Sequence, residues 1–338
     1  MDKDKAMSLT SHLRTLSSPV RRFFEDEFPY MLQIERNTKQ HLAGCETIVP
    51  TVADRSYPWS VIGTAFDYRI RYYFGVTPAH ALVAWDGAAG LAGGFFPTIG
   101  NTPLLHSQKG PFVDPSELGD NRPAHALASS FFSALELELA RICPVGQRLA
   151  QVEEDVLTQY CWVLALYENI YRSGQVAEGL VAARDVEGLL ALAPSAVKQD
   201  LRQLAWAFYD GFHDLLLLPR ILNPTFDGSN DVGGADADLI VDGCLLEIKT
   251  TKNPRLEKQW LYQLLGYVLL DYTDRHQIRQ VGIYYARQTK LVRWDVDALI
   301  RELSGDRSIG VATLRDRFRK AIGSHGRAKR TRVSATGR

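Results

Sequence analysis

Four charged residues stand at alternating positions on the two sides of an Asp242–Gly243 pair. Asp236 and Asp238 precede it, and Glu247 and Lys249 follow it. Asp-Gly between two apolar β-type runs predicts a two-residue hairpin turn, because both turn residues must adopt positive φ. Counting outward from the turn places Asp238 opposite Glu247 and Asp236 opposite Lys249. Since strand side chains alternate with period two, the four charges are expected on one face.

This pair of opposed carboxylates suggests a divalent cation. Two carboxylates facing each other across a strand pair repel, and a bound cation removes that penalty. Carboxylate-bound Mg²⁺ or Mn²⁺ can activate water and neutralise charge on a phosphodiester, while Lys249 can steer or deprotonate that water, or stabilise the phosphate. The alternative is a solvent-exposed hairpin face that merely bears four charges. The opposite face is apolar and expected to be packed: Ala237, Leu239, Val241, Cys244, Leu246 and Ile248.

The segment ADLIVDGCLLEIKTT resembles the core signature of the PD-(D/E)XK nuclease superfamily, in which an acidic residue and a hairpin precede Glu-x-Lys. The resemblance implies that Asp238 and Glu247 are metal ligands and that the backbone carbonyl of Ile248 is a third. It also implies that Lys249 is the catalytic lysine. The implied fold class is α/β, a restriction-endonuclease-like core with a mixed central sheet flanked by helices, here carrying a large helical insertion.

A helix predicted at Leu256–Tyr272 carries Gln263 and Tyr267 at i,i+4 spacing, on one helix face. The two residues match the Q-x-x-x-Y pattern of the RecB-like and Cas4-like branch, which implies that they contact the substrate phosphate or orient Lys249. From the spacing alone they are the flank of an ordinary amphipathic helix beside an apolar stripe. That stripe consists of Trp260, Leu264 and Val268.

The same branch opens with a helix of the form Gly-Thr-x-x-His, whose histidine completes the metal site. Here Gly63-Thr64-Ala65-Phe66-Asp67 ends in aspartate, an oxygen ligand that suits Mg²⁺, so Asp67 is a candidate ligand. The alternative is a helix N-terminus with Thr64 as cap and an acidic first turn. Glu168 is a second candidate for an upstream carboxylate. Some relatives carry an iron–sulfur cluster, but no cysteine follows Cys244, so no cluster is expected.

The pattern of apolar residues divides the chain into five regions. Helices are predicted at 58–75, 129–142, 147–171, 195–217 and 296–303, the first ending in a left-handed Gly75 cap, and strands at 280–286 and 291–296. Residues 76–128 are expected to be mainly loops with short strands. The regions are an N-terminal helical arm (1–50), a first core helix (51–75), a loop-rich then helical insertion (76–218), the nuclease core (219–303), and a C-terminal helix and basic tail (304–338).

Composition excludes several classes of protein. No run of eighteen apolar residues and no secretory signal appear, so a cytoplasmic protein without a membrane span is expected. The formal net charge is zero, yet residues 315–338 contain nine Lys/Arg and one Asp. This tail, with little apolar character after Ile322, is expected not to fold alone and to lie along nucleic acid, or else to be an inert solvated end.

The resemblance implies a nucleic-acid substrate, DNA more than RNA because most of the branch acts on DNA, in repair or in defence against foreign DNA. The helical insertion would cover the substrate or meet a protein partner. A calcium loop at Asp236–Glu247 fails because Ile240 and Val241 occupy positions that need an oxygen ligand and a glycine. A serine hydrolase lacks its G-x-S-x-G motif, and His213 lies in an apolar helix. A catalytically idle, nucleic-acid-binding or scaffolding version of the fold stays open.

Overall fold

The chain contains one unit built on a β-sheet and one built of helices, so it is a mixed α/β protein. A computed structural model describes residues 8–52, 57–93, 112–113 and 122–335, with side chains omitted for 92–93, 112–113, 122–125 and 324–335. The helical unit comprises Thr47–Leu217 and Thr250–Lys252. The sheet unit comprises Asp4–Glu46, Leu218–Lys249 and Asn253–Arg338.

The sheet unit holds five strands in the order of the chain. They are β3 (Arg220–Leu222), β4 (Leu239–Val241), β5 (Cys244–Lys249), β6 (Gln280–Tyr285) and β7 (Lys290–Asp295). Neighbours are antiparallel except β5 and β6, which are parallel because helix α11 (Lys258–Leu270) connects them. Strand β5 is therefore the middle strand of a mixed sheet.

The hairpin forms in the predicted register. Asp242 and Gly243 have φ of 48° and 72°, and Leu239 pairs with Leu246 and Val241 with Cys244. Toward the turn, Ile240 and Leu245 alternate onto the face that Asp238 and Glu247 share, and both are buried. The charged residues of this face therefore lie at the open end of the hairpin. There β4 begins at Leu239, and Asp236 bridges to Thr225 instead of continuing the ladder.

Helices from both ends of the chain complete the core of the sheet unit. They are α1 (Leu9–Arg14), α2 (Pro19–Glu27), α3 (Leu32–Leu42), α12 (Val296–Ser304) and α13 (Val311–Ala335). Phe24 stacks on Tyr262 of α11 at 5.1 Å between ring centroids and contacts Phe318 of α13 at 5.5 Å. The expected N-terminal arm is thus part of this core, because its apolar residues face α11 and α13 rather than water.

The helical unit is built around helix α7 (Gln151–Ser173), whose middle stretch, residues 160–168, is buried. Gly87 allows close packing, since a Cβ there would lie 1.8 Å from the carbonyl oxygen of Tyr167. Arg69 and Glu154 form a fully buried ion pair, with 2.5 Å between Nε and Oε1. The helices are α4 (Trp59–Phe74), α5 (Val83–Gly93), α6 (Arg122–Ile142), α7 (Gln151–Ser173), α8 (Glu178–Ala182), α9 (Val186–Leu190) and α10 (Ser195–Phe212); β1 (Phe112–Val113) pairs with β2 (Val176–Ala177).

Several expectations for this region need correction. Helix α4 groups with the helical unit rather than with a nuclease core, because its apolar face packs on α7 and α10. Gly75 ends α4 with extended backbone (φ 175°), not a left-handed cap. Thr64 lies a full turn inside α4, so it is not the cap. Helix α5 and the start of α6 occupy part of the expected loops because Ala-rich sequence favours helix; residues 94–111 and 114–121 lie outside the described chain.

The basic C-terminal segment is helical as far as Ala335, as the continuation of α13. The helix is anchored by Leu314 and Phe318, both fully buried, and Ala, Lys and Arg are good helix formers that extend it. Residues 336–338 lie beyond the part that the structure describes. No helix among the described residues has the length and apolar character needed to cross a membrane.

Candidate active site

Asp238 lies at the open end of the hairpin, one position before β4, where its carboxylate turns toward the neighbouring strand. Its Oδ2 accepts a hydrogen bond from the backbone N–H of Ile248, at 2.8 Å. This bond fixes the carboxylate beside β5 and takes the place of direct opposition to Glu247. One oxygen is thereby engaged, and Oδ1 is the atom that Asp238 can offer to a cation.

Glu247 is 6% exposed and forms an ion pair with Lys249, whose Nζ lies 2.7 Å from Oε1. Burial raises the pKa of Glu247 to about 7, Lys249 opposes that rise, and the charges of Asp238 and Asp236 add to it. The middle position of β5 in the sheet explains the burial. Two further carboxylates at the same end explain why a single lysine does not restore the ordinary pKa.

Lys249 has a second neighbour that sequence analysis assigned only to packing. Its Nζ lies 5.2 Å from the ring centroid of Trp260, in the first turn of α11. A cation over an indole face is attracted by the ring's electron density. Trp260 therefore holds the ammonium group from the helix side, and Glu247 holds it from the strand. An aromatic residue one turn before Gln263, following a Glu-x-Lys strand, is the signal that could have identified it.

Gln263 and Tyr267 lie on one face of α11, as predicted, and they bind each other. The Nε2 of Gln263 donates to the hydroxyl of Tyr267 at 2.8 Å, and Tyr267 stacks on Phe226 with centroids 5.3 Å apart. Burial raises the pKa of Tyr267 well above 10, with Glu247 and then the two aspartates adding to the effect. Tyr267 is therefore a neutral hydroxyl at physiological pH, with its own hydrogen available to be donated near the carboxylates.

The remaining candidate residues occupy separate positions. Asp236 is exposed, and its negative charge contributes to the raised pKa of Glu247. Asp67 lies in α4 and Glu168 in α7, both in the helical unit. Both carboxylate oxygens of Glu168 accept hydrogen bonds there: Oε2 from the hydroxyl of Tyr68 and Oε1 from Nε of Arg172, each at 2.5 Å. The role of Asp67 as a ligand stays a prediction.

The carboxylates of Asp238 and Glu247 are suitable ligands for a small divalent cation, but they do not by themselves form a complete coordination site. Among the described residues, no three His, Cys, Asp or Glu side chains are placed to hold a metal by themselves. Mg²⁺ is usually bound through one or two carboxylates and keeps several waters, so Asp238 and Glu247 suffice as protein ligands.

No protein-family model, curated protein or solved structure matches this chain. Its function must therefore be inferred from the geometry of this site and from the motifs within it.

Proposed function

We propose that this chain is a Mg²⁺- or Mn²⁺-dependent nuclease that hydrolyses phosphodiester bonds, in DNA rather than RNA. The observation that carries the proposal is the convergence of Asp238, Glu247 and Lys249 at the open end of one hairpin. The burial of Glu247 supports it, because a carboxylate with a pKa near 7 is costly in a purely structural position.

The sheet topology is consistent with a restriction-endonuclease-like core. The hairpin β4–β5 is followed by α11 and then by β6, parallel to β5, and the pattern Glu-x-Lys and Q-x-x-x-Y falls on β5 and α11. We infer on this basis that the resemblance to the RecB-like branch reflects a shared fold. The topology brings the end of β5 and the face of α11 to the same place, which the motifs require.

In the proposed reaction, Asp238 and Glu247 would hold a Mg²⁺ ion, with the carbonyl of Ile248 as a third donor. When bound, the ion would supply charge neutralisation at the phosphate and a more nucleophilic water. The ammonium group of Lys249 would stabilise negative charge that develops on the phosphate. Gln263 and Tyr267 act as neutral donors that orient the phosphate.

The test is incubation of purified protein with single- and double-stranded DNA and RNA, in Mg²⁺, in Mn²⁺ or in EDTA. We expect metal-dependent cleavage by the wild type and by a control variant, Glu302→Gln, which removes an exposed carboxylate of α12. Glu247→Gln and Asp238→Asn should not cleave. Equal cleavage by these two variants, or no cleavage of any substrate, would contradict the proposal.

A catalytically idle, nucleic-acid-binding subunit is the second candidate. It is favoured by the ion pair of Glu247 with Lys249, which balances charge without a metal, and by the lack of three ready ligands among the described residues. Calorimetric titration with Mg²⁺ and Mn²⁺ separates the two. An idle site would retain nucleic-acid binding in EDTA and would bind neither metal.

A further inference from the structure

A cleft with a volume of about 590 Å³ opens in the sheet unit beside the start of α11. Its walls come from α2 and α3 on one side and from residues 254–262 on the other. Four basic residues line it: Arg21 in α2, Lys39 at the end of α3, Arg255 in the loop before α11, and Lys258 in the first turn of α11. It is distinct from the carboxylate site, which contributes no residue to its walls.

Most of the basic side chains that line this cleft have no close carboxylate partner among the described residues. Within the described chain Lys39 forms no ion pair, and Arg255, 73% exposed at its side chain, reaches Glu257 only at 3.9 Å. Lys258 lies 5.2 Å from the ring of Tyr262. A fourth cation, Arg21, is already paired with Glu25. The carboxylates of Glu35 and Glu257 also line the cleft, so it is moderately rather than strongly basic.

Helix α11 contributes residues both to the cleft and to the proposed active site. Gln259 lines the cleft and lies one turn before Gln263 on the same helix face. The next residue, Trp260, lies over Lys249. From Lys258 to Gln263 the helix rises roughly 8 Å, at 1.5 Å per residue. That is the rise of about two nucleotides in a strand.

We propose that this cleft binds the phosphate backbone of the nucleic-acid strand on one side of the bond that is cut, beginning about two nucleotides from it. The inference rests on the proposed function and adds to it the path of the substrate. Lys39 and Arg255 contact successive phosphates as point charges, which provides affinity without sequence preference. A free nucleotide would also fit a cleft of this volume, but a strand would in addition reach Gln263 along the face of α11 that Gln259 shares.

The test measures binding without cleavage. A fluorescent single-stranded DNA 20-mer is titrated in EDTA between 50 and 200 mM NaCl with a double variant, Lys39→Ala/Arg255→Ala. Each single-strand phosphate contact contributes about 0.7 to the slope of log K against log salt. Loss of two contacts should flatten that slope by about 1.4, so the affinity deficit relative to wild type grows about sevenfold from 200 to 50 mM.

The matched control is Arg301→Ala/Arg307→Ala, which removes the same charge from exposed positions of the sheet unit outside the cleft. We expect it to keep the wild-type slope. The charge-keeping variant Lys39→Arg/Arg255→Lys should also keep it, which separates lost phosphate contacts from a folding defect. Circular dichroism compares the fold of each variant.

Equal slopes for the cleft and control variants would overturn the inference. So would saturable binding of adenosine monophosphate that the cleft variant loses while oligonucleotide binding is unchanged, because the cleft would then hold a free nucleotide. Cleavage in Mg²⁺ is assayed separately. A wild type that cleaves but shows equal slopes overturns the cleft alone, and one that neither binds nor cleaves overturns both proposals.

Discussion

Replacing Glu247 with glutamine should change how the stability of the metal-free protein depends on pH. Burial raises the pKa of Glu247 from 4.5 to about 7 in the folded protein. Between those values the folded chain holds a proton that the unfolded chain has released. The stabilising contribution of that proton is therefore complete below about pH 4.5 and is lost as pH rises through 7.

The expected magnitude follows from the pKa difference. Each pH unit in which the two states differ by one proton changes the free energy of unfolding by about 1.36 kcal/mol, so the total is about 3 kcal/mol. The glutamine side chain of the variant stays neutral at every pH, and its amide oxygen can still accept a hydrogen bond from Lys249. The variant should match wild type near pH 4.5 and exceed it by up to about 3 kcal/mol at pH 8.

The assay is hydrogen exchange of β5 amides at several pH values in EDTA, because it reports the opening free energy of this sheet rather than of the whole chain. Exchange rates are corrected for their intrinsic pH dependence. Glu302→Gln, an exposed change in the same unit, is the control and should follow wild type throughout. If the opening free energies of wild type and Glu247→Gln change in parallel from pH 4.5 to 8, the reasoning is refuted.

Mg²⁺ should remove most of this difference in stability between wild type and Glu247→Gln. Mg²⁺ that binds only the folded wild type stabilises it by about 2.7 kcal/mol at a hundred times its Kd. The glutamine variant lacks one of two carboxylate ligands and should gain much less. If Mg²⁺ stabilises both proteins equally, Glu247 is not a ligand.

Three further outcomes are expected. Lys249→Ala should abolish cleavage at saturating substrate while calorimetry still detects Mg²⁺ binding; loss of both would make Lys249 structural. Trp260→Ala should lower kcat by roughly fivefold, since a cation–π contact contributes about 1 kcal/mol, and Trp260→Phe should retain most activity. Deleting residues 324–338 should flatten the salt dependence of duplex DNA binding by about 0.9 per lost phosphate contact, with cleavage at saturation unchanged. An unchanged slope would show an inert tail.

Local chemistry made the hairpin predictable. Asp242–Gly243 determines the turn without help from distant residues, and the register follows by counting. Helix α11 and strands β6 and β7 also carry their own periodic patterns, and the structure confirms them within two residues at each end. The positions of Glu247 and Lys249 on β5 could therefore be predicted from the sequence.

Features set by distant contacts were not predictable in this way. Strand β3 is three largely exposed residues with no periodic pattern, and it exists because β4 offers an unpaired edge. The burial of Ile240 and Leu245 depends on helices such as α11 that belong to the same core cluster. The contact of Lys249 with Trp260 depends on how α11 returns across the sheet, which no local spacing specifies.

The packing of Phe24 against Phe318 has a consequence for how the protein is made. Helices α1–α3 leave the ribosome long before α11 and α13, against which they pack. Their apolar side chains must therefore stay exposed until α13 has been synthesised. Contacts of such large sequence separation slow folding and favour aggregation of the exposed segments. We expect the sheet unit to form only after α13 has emerged, with the long central segment free to fold before it.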